Sequence, residues 1–384
     1  MRTVVDIFCG AGGLSYGFEA AGFKLAGALD FDSIAAELYS AQHPDVPFLN
    51  SDVAKVTGED VRSLVSGRAI DVMIGGPSCQ GFSTHGKRDP YDERNFLFKH
   101  FVRLVGRIQP PWVVMENVKG LLTYDHGRYR DEIHASFRRV GYAIESRVLN
   151  AADYGVPQLR ERLFFIATNT GGDIRFPTPT HCPAEQCLLS GLLPHVGVWE
   201  AIGDLPSIGC EGEADWYLMP PKTPFQRYAR AGAGGSVTLH RAKPVSPLAM
   251  SIISRIPPGK GVRHLAESQL PERFRKMRTV SNGALRRDCT TLYYRLRWDR
   301  PAYTITCYFN NVSSGPFVHP SENRSLTPRE AARLQSFRDS YRFASKQLGR
   351  QIGNAVPPLL ARAVAEAVLG CLTESSHRRE EVFV

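Results

Sequence analysis

Over its first 170 residues the chain alternates β-branched apolar runs with amphipathic stretches, and this alternation limits the fold more than any other feature. RTVVDIF, KLAGALDFD, AIDVMIG, WVVMEN and ERLFFIAT read as strands. LSYGFEAAGF, ended by Gly22, the stretch from Ser33, FLFKHFVRLVGRIQ, and Arg130 to Val140 read as helices. Alternating strands and helices predict an α/β chain with a doubly wound parallel sheet. After about residue 170 the alternation stops. Residues 181–345 are rich in Pro, Gly and Arg, and two short aromatic runs there, TLYYRLRW and AYTITCYF, read as strands of a second, irregular domain. The last forty residues return to helix, with LLARAVAEAVLG spaced to pack back on the first domain. The expected organisation is one domain over 1–180, completed by 346–384, and a smaller one over 181–345.

A chain of 384 residues, 43% hydrophobic and 22% charged, can bury a full core, and its composition is that of a globular protein. No run approaches the roughly 18 to 20 apolar residues of a membrane-spanning helix, and MRTVVDIFCG lacks the pattern of a signal peptide. The expectation is a cytoplasmic protein with no membrane partner. The eight cysteines have no regular spacing; Cys182 and Cys187 lack a matching second pair, so no metal is expected. The net charge is +9, and residues 251–300 hold twelve Lys and Arg against four acids. That asymmetry points to a nucleic-acid face.

Two corners carry chemistry. Gly10, Gly12 and Gly13 follow the first strand, and Asp30 ends the second, the layout of a nucleotide-type pocket in which an acid accepts from ribose hydroxyls. A dinucleotide site has GxGxxG, whereas here the third glycine falls early, as GxGG. The spacing favours an adenosine ligand without phosphates, such as S-adenosylmethionine. Asp52, after the apolar Pro47–Leu49, either receives the adenine amino group or caps a turn.

The other corner is GGPSCQGFS, residues 75–83, at the carboxyl end of a strand. Cys79 is there either a nucleophile or an inert buried thiol. Glu116, at the end of the neighbouring WVVM strand, is either a general acid or a helix cap. Gln158, Arg160 and Arg162 alternate along QLRERLFF, so they share one face: a fork for a carbonyl oxygen or for Glu116, or a solvated strand edge.

Taken together, DIFCGAGGLSYGF, GGPSCQGFS, MENV, QLRERLFF, LTPREAARLQSF and QIGNAVPP resemble, in order, the motifs of the DNA (cytosine-5) methyltransferases. The resemblance covers the first 170 and the last 65 residues. It implies a Rossmann-like S-adenosylmethionine-dependent methyltransferase sheet with a target-recognition domain between QLRER and LTPRE. It implies that Phe8, Gly10, Ala11, Gly12, Gly13, Leu14, Asp30, Phe31, Asp52, Val53, Pro77 and Leu97, with Asn354, Ala355 and Val356, hold S-adenosylmethionine and its product S-adenosylhomocysteine. Cys79 would add to C6 of a flipped cytosine while Glu116 engages N3, with Arg162 and Arg160 on the O2 side. Gln80, Ser83, Arg94, Gln158, Arg295, Arg297 and the Thr304-Ile305 pair would contact DNA, Thr304 on a phosphate, and the 83–95 loop would close over the base.

The implied partner is double-stranded DNA, bound by a monomer of bacterial type at the nucleoid. A restriction endonuclease or phage-defence component acting on the same site completes the expected setting. Two positions depart from the pattern: Ser78 replaces the proline before the nucleophile, and Arg338 replaces the proline after SF. The alternatives carried forward are a tRNA cytosine-5 methyltransferase and a DNA-binding module without catalysis. Against the first, the region has Thr306-Cys307-Tyr308 rather than Cys-Phe-Thr.

Overall fold

The computed structural model describes residues 1–78, 96–272 and 291–382. They divide into two compact units, one formed by 1–154, 161–180 and 355–384, the other by 155–160 and 181–354. The short excursion 155–160 and the stretch 346–354 therefore belong to the second unit, a division finer than the expected boundaries.

The first unit is built on a seven-stranded sheet in the order β3-β2-β1-β4-β5-β7-β6. Its strands are β1 (Thr3–Ile7), β2 (Lys24–Asp30), β3 (Phe48–Asn50), β4 (Val72–Gly75), β5 (Trp112–Val118), β6 (Ala143–Asn150) and β7 (Glu161–Thr168). Val4, Val5 and Ile7 of β1 are fully buried, as a central strand covered on both faces requires. Helices α1 (Gly13–Ala20), α2 (Ser33–Gln42), α3 (Gly58–Leu64), α4 (Leu97–Ile108) and α5 (Arg128–Arg139) connect the strands.

One expectation is corrected: the sheet is mixed. β7, the ERLFFIAT run, lies antiparallel to both β5 and β6. Periodicity reveals that a strand exists but carries no information on its direction. A second correction concerns apolar length, since Leu348–Glu374 is long and apolar enough to cross a membrane. In its most apolar window 61% of the residues are buried within the protein, which accounts for the composition.

The last helix, Pro358–Val382, packs on α1 through small residues. A Cβ at Gly17 would stand 2.3 Å from the Ala361 Cβ and 2.6 Å from the Arg362 nitrogen. Gly17→Ala should therefore force the helices apart, costing about 1 to 3 kcal/mol. Chemical denaturation checks this, and a loss under about 0.5 kcal/mol would contradict such close packing.

Beneath the first turn of the chain lies a buried carboxyl group. Asp6 accepts a hydrogen bond from Ser15 Oγ, which in turn accepts one from Tyr39. Burial raises its pKa to about 7, and the neighbouring charge of Asp30 adds to the shift. The folded state thus keeps its proton between pH 4 and 7 while the unfolded chain releases it. Stability from this group is complete below about pH 4 and falls as pH rises to 7, by on the order of a few kcal/mol. Asp6→Asn should remove the fall, so that the variant gains on the wild type across that window in denaturant titrations. A pH-independent difference between the two proteins would refute it.

The second unit holds a two-stranded parallel sheet, His181–Cys182 with Leu193–Pro194, and short helices that include Val198–Ile202, Pro224–Arg230, Pro247–Ile253, Pro328–Leu334 and Leu348–Asn354. One of its apolar clusters gathers Ile252, Ile253, Ile256, Leu265, Tyr293 and Val318. The runs TLYYRLRW and AYTITCYF are not strands; what pairing they make is isolated, as between Arg295 and Val318. Backbone bonds such as Leu296 N–H to the Val318 carbonyl are reinforced by side chains. Arg295, 5% exposed, donates to the carbonyls of Ile253, Ile256, His319 and Glu322 and to Asn323 Oδ1.

Candidate active site

The glycine turn opens where β1 ends. Phe8, at φ 71°, takes a left-handed conformation that is strained for a bulky residue, and its N–H, like that of Cys9, donates to the Leu29 carbonyl. Gly10 and Gly12 follow at φ 51° and 72°. Asp30 fastens the turn to the tip of β2: one carboxylate oxygen accepts from the Gly10 N–H at 2.9 Å, the other from the Asp32 N–H at 3.0 Å. Burial raises its pKa. Each oxygen has a second acceptor site for a ribose hydroxyl.

The surroundings fit an adenosine-type group. Beside Gly10 a Cβ would meet nothing within 4 Å, so the space over the turn is open. Phe31, at the tip of β2, is 68% exposed, a large apolar ring ready to stack on a base. Behind the turn the packing is tight: a Cβ at Gly13 would lie 2.2 Å from the Val356 carbonyl oxygen, which is why glycine stands there. Ala11, Leu14, Ala355 and Val356 are buried, while Asn354 is exposed and belongs to the second unit. Asp52 caps a turn, accepting from the Ala54 N–H, and is exposed beside buried Val53, whose carbonyl accepts from Arg103. Leu97 begins α4 and packs on the core with Phe8.

At the end of β4 the backbone approaches β1 so closely that a Cβ on Gly75 would stand 2.2 Å from the Ile7 oxygen. Parallel pairing of β4 with β5 then sets Gly76 beside Glu116, and a Cβ on Gly76 would lie 3.3 Å from Glu116 Oε2. Asn117, pointing the other way on β5, donates to the Pro77 carbonyl at 3.3 Å and is buried. Of the two consecutive residues of MENV, Asn117 thus holds the Gly76-Pro77 segment and Glu116 lies beside it. Asn117 had no role assigned from sequence; its place beside Glu116 was the available signal. Cys79, Gln80, Ser83 and Arg94, with the 83–95 loop, lie outside the described residues.

Arg162 reaches Glu116 from β7, its Nε 3.1 Å from Oε1, with the two side chains 15% and 12% exposed. Burial lowers the guanidinium pKa and the carboxylate partly restores it. The pair holds Glu116 in place and leaves its side chain partly exposed.

Arg160 does not share that environment, and the expected common face of Gln158, Arg160 and Arg162 is corrected. β7 begins only at Glu161. Arg160, fully buried, donates to the carbonyls of Ile305 and Gly353 in the second unit. Gln158 is equally buried, bonded to Leu334, Gln335 and the Ile305 N–H. Ile305 is buried too, so among the residues expected to touch DNA, Gln158, Arg295 and Ile305 are occupied within the protein. Thr304 is half-buried and its hydroxyl donates to the Leu159 carbonyl. Arg297 is 48% exposed. Cys182 and Cys187 bring their Sγ atoms to 3.0 Å, with Ser190 Oγ at 3.3 Å from Cys182.

The two late motifs form scaffold rather than surface. Thr327 and Glu330 make a reciprocal cap on the helix Pro328–Leu334. From this helix Glu330 pairs with Arg324 at 2.8 Å, and Arg333 pairs with Asp204 and Asp339. Arg338, at the position of the family's proline, stacks over the Tyr228 ring at 5.0 Å. Gly349 and Gly353 press against the backbone of Thr306 and Cys307.

Comparison with known proteins agrees with this architecture. The chain is 37% identical over 372 residues to the type II methyltransferase M1.HphI of Haemophilus parahaemolyticus, covering 96% of this chain and 86% of that protein. It is 35% identical over 381 residues to the type II methyltransferase M.DdeI of Desulfomicrobium norvegicum, covering 95% and 88%. A crystal structure of a putative DNA modification methyltransferase encoded within an E. coli prophage superposes with a TM-score of 0.73 at 25% identity, over 97% of this chain and all of that one. Residues 2–370 match the family model of the C-5 cytosine-specific DNA methylases. The chain belongs to that family and is a DNA cytosine methyltransferase.

Proposed function

We propose that this chain methylates C5 of a cytosine flipped out of a specific duplex DNA sequence, through a covalent bond from Cys79. The observation that carries the reading is the braced carboxyl group: Glu116, held by Arg162, beside the Gly76-Pro77 segment that leads directly to Cys79. C5 of an unactivated pyrimidine is too weak a nucleophile for direct methylation, and adding a thiolate at C6 divides the reaction into two easier steps. The target atoms are inaccessible in a stacked duplex, so the base must leave the helix.

When bound, S-adenosylmethionine supplies an electrophilic methyl group, leaving S-adenosylhomocysteine. Gly10, Gly12, Asp30, Phe31 and Asp52 would hold its adenosine, with Phe8, Ala11, Gly13, Leu14, Val53, Pro77, Leu97, Ala355 and Val356 completing the pocket. The Cys79 thiolate bonds to C6, and the displaced electron pair moves to C5 as Glu116 shares its proton with N3. Arg162 fixes the carboxyl group so that N3 receives that proton along a single direction. After methylation, C5 loses its proton, the 5,6 double bond reforms and Cys79 leaves.

Ser78 gives up the fixed φ of the usual proline. Asn117 provides a substitute restraint by holding the Pro77 carbonyl. The type II relatives support a restriction-modification setting, to which we add a monomeric enzyme and an endonuclease acting on the same site. The test is methyl transfer to duplex DNA and to tRNA side by side, with DNA carrying 5-fluorocytosine as a covalent trap. A trapped protein–DNA adduct is the expected result. Activity on tRNA alone, or methylation without an adduct, would overturn the reading.

A further inference from the structure

The second unit offers a cation, Arg297, held between a carboxylate and a tight turn. Pro257–Lys260 is a tight turn in which the Lys260 N–H donates to the Pro257 carbonyl and Gly259 sits at φ 78°. Proline followed by glycine at positive φ is a type II turn, with the first proline of the pair ahead of it. The turn is pinned from below: the Gly259 N–H donates to the Arg295 carbonyl, the Arg295 N–H donates to that of Lys260, and the buried Arg295 guanidinium holds Ile253 and Ile256. The stem of Arg297 lies across the bare face of Gly259, where a Cβ would meet its Cδ at 2.9 Å.

Asp299 then grips the Arg297 guanidinium from the side. Its Oδ1 accepts from Nε at 2.8 Å and its Oδ2 from Nη2 at 2.5 Å. Guanidinium carries five N–H donors in a rigid plane. With one side occupied, the end edge, formed by Nη1 and the second Nη2 hydrogen, has no acceptor among the described residues. That edge is a pair of parallel donors, the pattern that meets O6 and N7 of guanine in the major groove.

We propose that Arg297, braced by Asp299 and seated on the Pro257–Lys260 turn, reads a guanine in the target sequence. A phosphate would accept from the same edge, but the brace argues against it. Binding to phosphate depends on net charge, and a carboxylate on the guanidinium cancels that charge while improving orientation. Orientation is what base reading demands. Lys260 is exposed on the same turn with no ion pair among the described residues, and supplies the unneutralised charge that a phosphate attracts. The proposal rests on the reading of the chain as a duplex-DNA methyltransferase and adds the base and the residue.

The experiment is methylation of a randomised duplex library, sequenced for methylated cytosine, by the wild type and by Arg297→Ala, Asp299→Asn and Lys260→Ala. All three positions are exposed, and thermal unfolding establishes that each variant folds. Arg297→Ala should lose the preference for guanine at one position, with the rate on the wild-type site falling roughly 5- to 150-fold. Asp299→Asn should weaken the preference at that same position by less. Lys260→Ala should lower methylation of all sequences alike and reduce the salt slope of binding by about one. An Arg297→Ala profile unchanged at every position, or lowered equally for all sequences, would overturn the proposal. A wild type that methylates no DNA cytosine would instead remove the reading beneath it.

Discussion

Replacing Cys79 with serine is expected to lower cytosine methylation at least about a thousandfold while leaving thermal unfolding unchanged. A free thiol near neutral pH is a few per cent thiolate and intrinsically a strong nucleophile, whereas a serine hydroxyl needs a strong base beside it. The change is confined to one atom. The restraints on the approach to residue 79 come from elsewhere: Gly75 pressed on Ile7, Gly76 beside Glu116 and the Pro77 carbonyl held by Asn117. Radiolabelled methyl transfer measures the loss, and the adduct with 5-fluorocytosine DNA should vanish with it. Retention of more than about a tenth of the wild-type rate would mean that C5 is activated without a thiolate.

The largest effect on stability is expected from Arg333→Met. Arg333 is fully buried in the helix of LTPREAARLQSF and bonds to Asp339, to Asp204 and to the Ala201 carbonyl. Burial opposes the charge of the guanidinium, but Asp339 and Asp204 together hold its pKa above the ordinary value. Removing it strands two buried carboxylates. Arg230 still reaches Asp204 at 2.6 Å and Arg329 reaches Asp339 at 3.5 Å, which moderates the penalty without cancelling it. Breaking such a buried pair costs about 3 to 5 kcal/mol, or on the order of 10 °C in the unfolding midpoint. Adding Asp204→Asn should recover part of the loss, because the stranded charge is then gone. A single variant within about 1 kcal/mol of the wild type would show that the network contributes little to stability.

The first unit was largely legible because its signals are local. Val4 to Ile7, the glycines after them and the acid at Asp30 follow from apolar runs and turn residues a few positions apart. The direction of β7 was not legible, since Leu163, Phe165 and Ala167 alternate identically whichever way the strand runs. Arg160 and Arg162 were read together because they are two residues apart. What separates them is the beginning of β7 at Glu161, where the chain passes from one unit to the other. In the second unit, aromatic runs around Tyr293 and Tyr303 imitate strands, yet their pairing is confined to isolated bridges, and the Ile305 carbonyl is taken by Arg160. An arginine in a sequence reads as a surface charge; here the buried guanidinium groups of Arg295 and Arg160 bond carbonyls inside the protein. LTPREAARLQSF identified the family, and its physical role is that of a buried charge network.

The contact between Gly13 and the Val356 carbonyl joins the glycine turn to a residue near the other end of the chain. During synthesis the strands and α1 emerge early, but Val356, the wall behind the turn, follows 343 positions after Gly13. Closing so long a loop is entropically costly and slow, and the apolar face of α1 that Pro358–Val382 covers stays open until then. A chain halted before residue 355 would hold the glycine turn without the carbonyl packed behind it. The packing behind the glycine turn can therefore form only after residues 181–354, the greater part of the second unit, have been made.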